Sequence, residues 1–350
     1  MIVMRLFALL LLTAMIGGLT AMKAQAEEVL LRVSLQDSLS NPLNQGLVEF
    51  KDGVEARTKG DVTVNIFDQS QFYNDYQVPN AVGSGAIEMG LAPLGQYEND
   101  VPAAGVFLQP FLFNFDEIIR AAAQPGSEIR TIIDNEILSK TGARVLWWQR
   151  YGSPVLLSKT APMLSPNSMA TQNIRTYDGL TAEFINLCGG KSHVIADFKQ
   201  AEAFDNKLVD ANLTNISSVK EQELWQKTHF VTRIRLSEIL YAVIINEQIW
   251  QSLTVEQRQV LVEEAGKVEK KIWERFAKID SDSYAYAAKK GMKIEELTSE
   301  NIVAWRVCSS SILESYMTKA GEIGQQLMTA YARLRMAPCC NKAANTDAAR

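Results

Sequence analysis

Apolar residues recur along this chain with two alternating periods. Glu28 to Leu35 (EVLLRVSL) and Val62 to Phe67 (VTVNIF) are short, aliphatic and β-branched, the composition of buried strands. Between them Asn41-Pro42 opens a helix that runs through Lys51 to Arg57, and Lys59-Gly60-Asp61 supplies the turn. Tyr76 to Val82 has a helical pattern ended by Gly83-Ser84-Gly85, and Ala86 to Ala92 forms the next strand. The alternation continues through Phe107 to Phe113 and a helix from Asp116 to Ser139. Strands alternating with helices predict an α/β class with mainly parallel sheets.

Two later runs change that picture. Ala143 to Gly152 (ARVLWWQRYG), with Pro154 to Leu157 after it, is extended over enough length to leave one sheet and enter another. Ile239 to Ile245 (ILYAVII) is a second candidate for such a crossing. Two crossings predict two lobes built from discontinuous pieces, with a cleft between them. The expected division is residues 27–151 with 240–278 in one lobe and 152–239 with 279–338 in the other. From Val255 the helical period persists for more than about 25 residues, which predicts a helix that spans both lobes.

The ends differ from the middle. Arg5, the apolar run from Leu6 to Ala21, and Ala24-Gln25-Ala26 form an export signal over residues 1–26, with cleavage expected after Ala26. No second apolar run reaches membrane-spanning length, so the mature chain is not expected to be embedded in a membrane. Residues 339–350 are expected to form a disordered tail. The net charge of -5 becomes about -7 once Arg5 and Lys23 are removed, with signs interspersed, which argues against a nucleic-acid partner and leaves room for a small anion.

Candidate chemistry is sparse. The two histidines, His193 and His229, have no metal-ligand spacing, and Gly83-Ser84-Gly85 precedes a strand and lacks the third glycine of a dinucleotide loop. No cofactor or metal is expected. Cys188 and Cys308 either pair or serve as small buried apolar residues, and spacing leaves both open; a bond between the adjacent Cys339 and Cys340 would be strained. Trp147, Trp148, Phe72, Tyr73 and Tyr177 lie near strand ends, where they would pack in cores or wall a cleft. Arg175, in TQNIRTYDG, stands on a short strand leading to a helix; from the residues alone it is either a solvated or salt-bridged charge or a carboxylate anchor, whose planar guanidinium would match the acid with two parallel hydrogen bonds.

A set of segments in order carries a resemblance. These are Asn41-Pro42-Leu43 with Phe50, Gly60 to Phe67, Gln69 to Asp75, Val82 to Met89, Gln109-Pro110-Phe111-Leu112-Phe113, Ile174-Arg175-Thr176, and Ala203-Phe204 to Asp210. From about Val29 to Met328 the chain resembles the DctP-type substrate-binding proteins of tripartite ATP-independent periplasmic (TRAP) transporters. The resemblance implies a two-lobed, periplasmic-binding-protein-like fold with a hinge of crossing strands near Arg150 and Ile244. It implies a periplasmic receptor, not an enzyme, that closes on an organic acid and delivers it to TRAP membrane permease subunits. Arg175 matches the arginine that grips the ligand carboxylate in that family. The remaining expected contacts are Trp148 and Arg150 at the crossing, Gln71 and Phe72 from the first lobe, Pro93 and Leu94 after the third strand, and Thr214 or Asn212 from the second lobe.

Departures from the family pattern bear on the ligand. Thr171 occupies the place of a glycine, and Pro154 falls where many members carry a second arginine, for which Arg150 is the nearest substitute. With one arginine, a monocarboxylate with an apolar or aromatic body is as compatible as a C4-dicarboxylate, because an unpaired buried carboxylate is costly. The alternatives are a receptor that signals to a membrane kinase, which permease genes nearby would argue against, and an exported hydrolase. The latter needs a nucleophile motif such as G-x-S-x-G, which the chain lacks.

Overall fold

Aliphatic runs and glycine turns place the first three strands as expected: β1 (Val29–Ser34), β2 (Val62–Phe67) and β3 (Met89–Pro93). These coordinates are a computed structural model that describes residues 28–340. The expected export signal and the polar end from Asn341 lie outside the described residues. β1 pairs in parallel with β2 and β3. The intervening helix Gln45–Thr58 ends at Lys59, whose left-handed φ of 54° turns the chain into β2.

The sheet is completed from far along the chain. β4 (Ala143–Gly152) and, after five strands of the other sheet, β10 (Ile239–Asn246) give the order β2-β1-β3-β10-β4. β10 runs antiparallel to both neighbours, so this sheet is mixed where alternation alone predicts mainly parallel pairing. The period of two along β4 sends Trp147 and Trp148 to opposite faces. Trp147 meets Phe50 at 5.0 Å on the face covered by the helix Gln45–Thr58, and Trp148 meets Phe107 at 5.6 Å on the other.

The second sheet contains β5 (Val155–Ser158), β6 (Asn173–Thr176), β7 (Lys191–Val194), β8 (Ala211–Thr214), β9 (Phe230–Arg233) and β11 (Lys293–Glu296), ordered β11-β9-β5-β8-β6-β7. It too is covered on both faces, with Leu156, Ile174, Phe184 and Trp305 on one and Val155, Leu157, Phe204 and Val231 on the other. The chain passes between sheets from β4 to β5 and from β9 to β10. A third passage is the continuous helix Val255–Lys289, which buries Leu261, Val268 and Ile272 against the first sheet's core and Ala287 in the second's. It lies so close to the helix Gln45–Thr58 that side chains at Gly46 and Gly53 would collide with Ile272 and Glu264.

Several expectations are corrected. Phe107 to Phe113 is not a strand: Pro102–Leu108 is a 3-10 helix, followed by turns. The helix from Asp116 to Ser139 is two, Asp116–Ala123 and Glu128–Thr141, because Pro125-Gly126 interrupts it and Ser127 caps the second by accepting from the Arg130 amide. The C-terminal helical segment Ser310–Met336, expected in the second lobe, begins there with Ile312, breaks at Gly321 (φ 56°), and buries Leu327, Ala330 and Tyr331 in the first sheet's core, where the Tyr331 hydroxyl donates to the Leu112 carbonyl at 2.7 Å. Cys339 and Cys340, expected to begin a disordered tail, close a turn after that helix, with Cys340 buried in the same core. Cys188 and Cys308 are joined in a disulfide that ties the helix Gly179–Leu187 to the helix Ser299–Cys308.

Candidate functional site

The carboxyl ends of β1, β3, β6 and β8 converge where the two sheets face each other, the usual location of ligand sites in open α/β sheets. They leave a cleft between the sheets. Pro93 and Leu94 follow β3, Gln36 follows β1, and Arg175, Tyr177 and Asp178 come from β6 and the turn after it. Thr214 and Asn215 end β8, Asp197 follows β7, and Ile239, Leu240 and Tyr241 begin the antiparallel β10. Asp75 and Tyr76 come from the loop after β2, and Phe107 from the 3-10 helix. The cleft is closed over: the Tyr76 hydroxyl and the Gln96 amide both donate to the Tyr177 carbonyl, joining elements of the two lobes.

Arg175 is fully buried at the wall of this cleft. Its Nε donates to the Ile195 carbonyl at 2.8 Å and its Nη1 to the Leu213 carbonyl at 3.2 Å. Asp197 approaches Nη2 at 3.4 Å, and amides of Gln200 and Gln222 hold that carboxylate at 2.9 Å each. The Tyr177 ring lies 5.9 Å from the guanidinium carbon. Nη2 has no hydrogen bond, so a buried donor is left at the cleft wall, an arrangement that is costly unless an acceptor arrives. Behind it, the buried Asn212 donates to Gln200.

The opposite side carries carboxylates. Asp75 is buried, and its Oδ2 accepts from the Tyr241 hydroxyl at 2.9 Å. Burial pushes its pKa up to about 7, helped by the charge of Asp197 and opposed by the Tyr241 bond and Arg175. Burial likewise holds Asp37 well above the usual range, with Asp197, Asp75 and Glu221 adding repulsion.

The expected site residues divide. Arg175, Pro93, Leu94 and Thr214 line the cleft together. Trp148 does not: its indole donates to Asp134 at 2.9 Å, and its ring lies in the first sheet's core under Arg130. Arg150 is engaged by Glu238 and by Asp116 and faces a different groove, with Arg120, Arg233 and Asp280. Gln71 is exposed and bonds Asp68, and Phe72 is half exposed against Phe67 at 4.3 Å. Asn212 stands one layer behind Thr214 and does not line the cleft, while Asn215 does. Asp75, Asp197 and Tyr241 were not anticipated. The available signal for Tyr241 was a hydroxyl inside an otherwise apolar strand, which needs a buried partner.

Thr171, standing where the resemblance places glycine, has a φ of 67°. That left-handed conformation favours glycine and strains a β-branched residue.

Two sheets joined by crossing strands, with a cleft assembled from the strand ends of both, define a two-lobed solute-binding protein. The chain belongs to the DctP family, bacterial extracellular solute-binding protein family 7, whose model matches residues 34–320. A C4-dicarboxylate-binding periplasmic protein DctP from Rhodobacter capsulatus is 24% identical over 302 residues, covering 85% of this chain and 89% of that protein. A Bordetella pertussis extracytoplasmic solute receptor binding pyroglutamic acid has a TM-score of 0.81 at 21% identity, covering 87% of this chain and 99% of its own. A TRAP periplasmic solute-binding protein from Chromohalobacter salexigens with bound D-glucuronate has a TM-score of 0.80 at 19% identity, covering 86% and 99%. Among the described residues no helix is long and apolar enough to cross a membrane.

Proposed function

We propose that this protein is the periplasmic receptor of a TRAP transporter, binding one carboxylate of an organic acid at Arg175 and delivering the solute to membrane permease subunits. The observation that carries this reading is Arg175 itself: fully buried, fixed by two carbonyls, near Asp197 at 3.4 Å, and left with no hydrogen bond at Nη2 on the cleft wall. A carboxylate there completes the guanidinium's bonding with charge-assisted hydrogen bonds. Family membership supports the receptor role, and the chemistry named for the relatives supports the ligand class, since each solute carries a carboxylate. The amino-terminal export signal supports a periplasmic location. Arg150 gives no second anchor, because Glu238 and Asp116 already hold it, and this favours a single carboxylate over a diacid.

Thermal melting of the mature chain with a panel of organic acids tests the reading. A ligand at 100 times its dissociation constant adds about 2.7 kcal/mol of stability. The expected result is a raised melting temperature with at least one monocarboxylate, lost in Arg175→Lys, which keeps the charge but not the fork. No shift with any acid, or a shift that survives in Arg175→Ala, overturns it.

A further inference from the structure

The cleft is more acidic than capture of an acid requires. Asp75, Asp178, Asp197 and Glu238 line it, while Arg175 is the single lysine or arginine among the described lining residues. Three of the four carboxylates have evident partners. Glu238 is bound by Arg150, Asp178 caps the helix Gly179–Leu187 through Thr181, and Asp197 steadies Arg175. Asp75 forms no ion pair and caps no helix: Arg175 acts on it only across the cleft, and the partner in contact with it is the neutral hydroxyl of Tyr241. It is 5% exposed, so the structure retains a buried carboxyl in the cleft wall with no cation bonded to it. Four aromatic rings, Tyr76, Phe107, Tyr177 and Tyr241, share that wall, and their faces attract cations.

Resting on the carboxylate reading above, we infer that the solute is a zwitterion, with its carboxylate on Arg175 and a protonated or quaternary nitrogen on Asp75 among the aromatic rings. The nitrogen supplies the charge that Asp75 lacks, as the carboxylate supplies the acceptor that Arg175 lacks. The same site disfavours diacids, whose second carboxylate would enter a lining that already carries Asp75 and Asp197.

The inference fixes the sign of a pH effect. The groups facing Asp75 are Tyr241 and its stacked neighbour Tyr151 from the first sheet, Asp37 after β1, Tyr76 beside it, and Asp197 and Arg175 from the second lobe. With Asp75 pushed up to about 7, a cation must displace its proton in acid, so affinity for a zwitterion rises as pH increases through that value. A solute without the cation is repelled by the same ionisation, and its affinity falls.

Calorimetry on the mature chain with matched probes tests this: proline against pyroglutamate, which share a ring but differ in the charge on nitrogen, and 4-aminobutyrate and glycine betaine against butyrate and succinate. At least one probe with a cationic nitrogen is expected to bind about tenfold or more tightly than its counterpart without one, and to tighten between about pH 5.5 and 8. In Asp75→Asn the difference is expected to fall below about twofold. Singly or doubly anionic acids that bind through Arg175 better than the zwitterionic probes, or zwitterion binding that weakens as pH rises, overturn this inference and leave the carboxylate reading standing. If no probe of either kind binds, the carboxylate reading fails, and this inference with it. The comparison of probes on the unaltered protein decides the question even if the Asp75 variant does not fold.

Discussion

Arg150 grips Glu238 with two parallel hydrogen bonds, Nε to Oε1 at 2.5 Å and Nη2 to Oε2 at 3.0 Å, and so ties the chain leaving the first sheet to the chain returning to it. Both residues are buried, and Ser153 adds a bond to the same carboxylate at 3.2 Å. Burial raises the pKa of Glu238, and Arg150 pulls against that rise. Removing one partner strands the other's charge. Glu238→Gln is expected to cost about 3–5 kcal/mol in urea unfolding, and Arg150→Met with Glu238→Leu together to cost less. A loss under about 1 kcal/mol for the single variant would show that water reaches the pair.

Thr171 pays for a glycine-like backbone with a β-branched side chain. It is exposed at a φ of 67°, so Thr171→Gly removes strain without emptying a core and is expected to stabilise the protein by about 1 kcal/mol. Thermal melting without ligand checks this; destabilisation would mean that the hydroxyl has a role outweighing the conformation.

The Cys188–Cys308 bond, at the second lobe's core, closes a sequence separation of 120 residues that runs out through β10 and the first lobe and back. Loss of so long a cross-link frees the unfolded chain, and replacing both cysteines by serine is expected to cost about 2–4 kcal/mol. Equal melting with and without a strong reductant would contradict it.

Asp75 also makes the empty receptor's stability depend on pH. Its folded pKa of about 7 exceeds the ordinary 3.8, so the folded state binds the extra proton between those values. Its contribution is therefore fully present below about pH 4 and is lost as pH rises through about 7. Asp75→Asn is expected to remove that loss, so the variant gains on the parent protein by on the order of 1–3 kcal/mol between pH 4 and 8. Denaturation midpoints at both pH values, compared as differences, test it; a gap that does not widen with pH would refute it.

How much of this was legible in the sequence depended on the range of the interaction. β1, β2, β4, β10 and the long helix follow from local periodicity, which is why their positions were visible. Local periodicity does not fix pairing direction, so the antiparallel insertion of β10 was not. Trp147 and Trp148 illustrate a second limit: a period of two says that neighbours face opposite ways, but both faces of this sheet are covered, and neither tryptophan reaches the cleft. Arg150 illustrates a third. Its partners, Glu238 and Asp116, lie 88 and 34 positions away, and nothing near Arg150 marks it as already engaged. Arg175 stood out through the collinear family segments, whereas Asp75, four positions beyond Gln71 on the expected loop, was passed over because its Tyr241 partner is 166 residues distant.

The helix Val255–Lys289 has a mechanical consequence. At 35 residues it is about 52 Å long, and Phe276 brings it within 4.2 Å of the Arg150 guanidinium. The two strand crossings thus meet this helix at one pivot, while the C-terminal segment Ser310–Met336 adds a further connection, with Ile312 in the second core and Leu327, Ala330 and Tyr331 in the first. Opening the cleft must flex that rod or slide one lobe along it, and a rod anchored in both cores resists wide excursions. The travel of the lobes is then limited by this rod at a point one ion pair away from the cleft, since Arg150 under Phe276 holds the cleft residue Glu238.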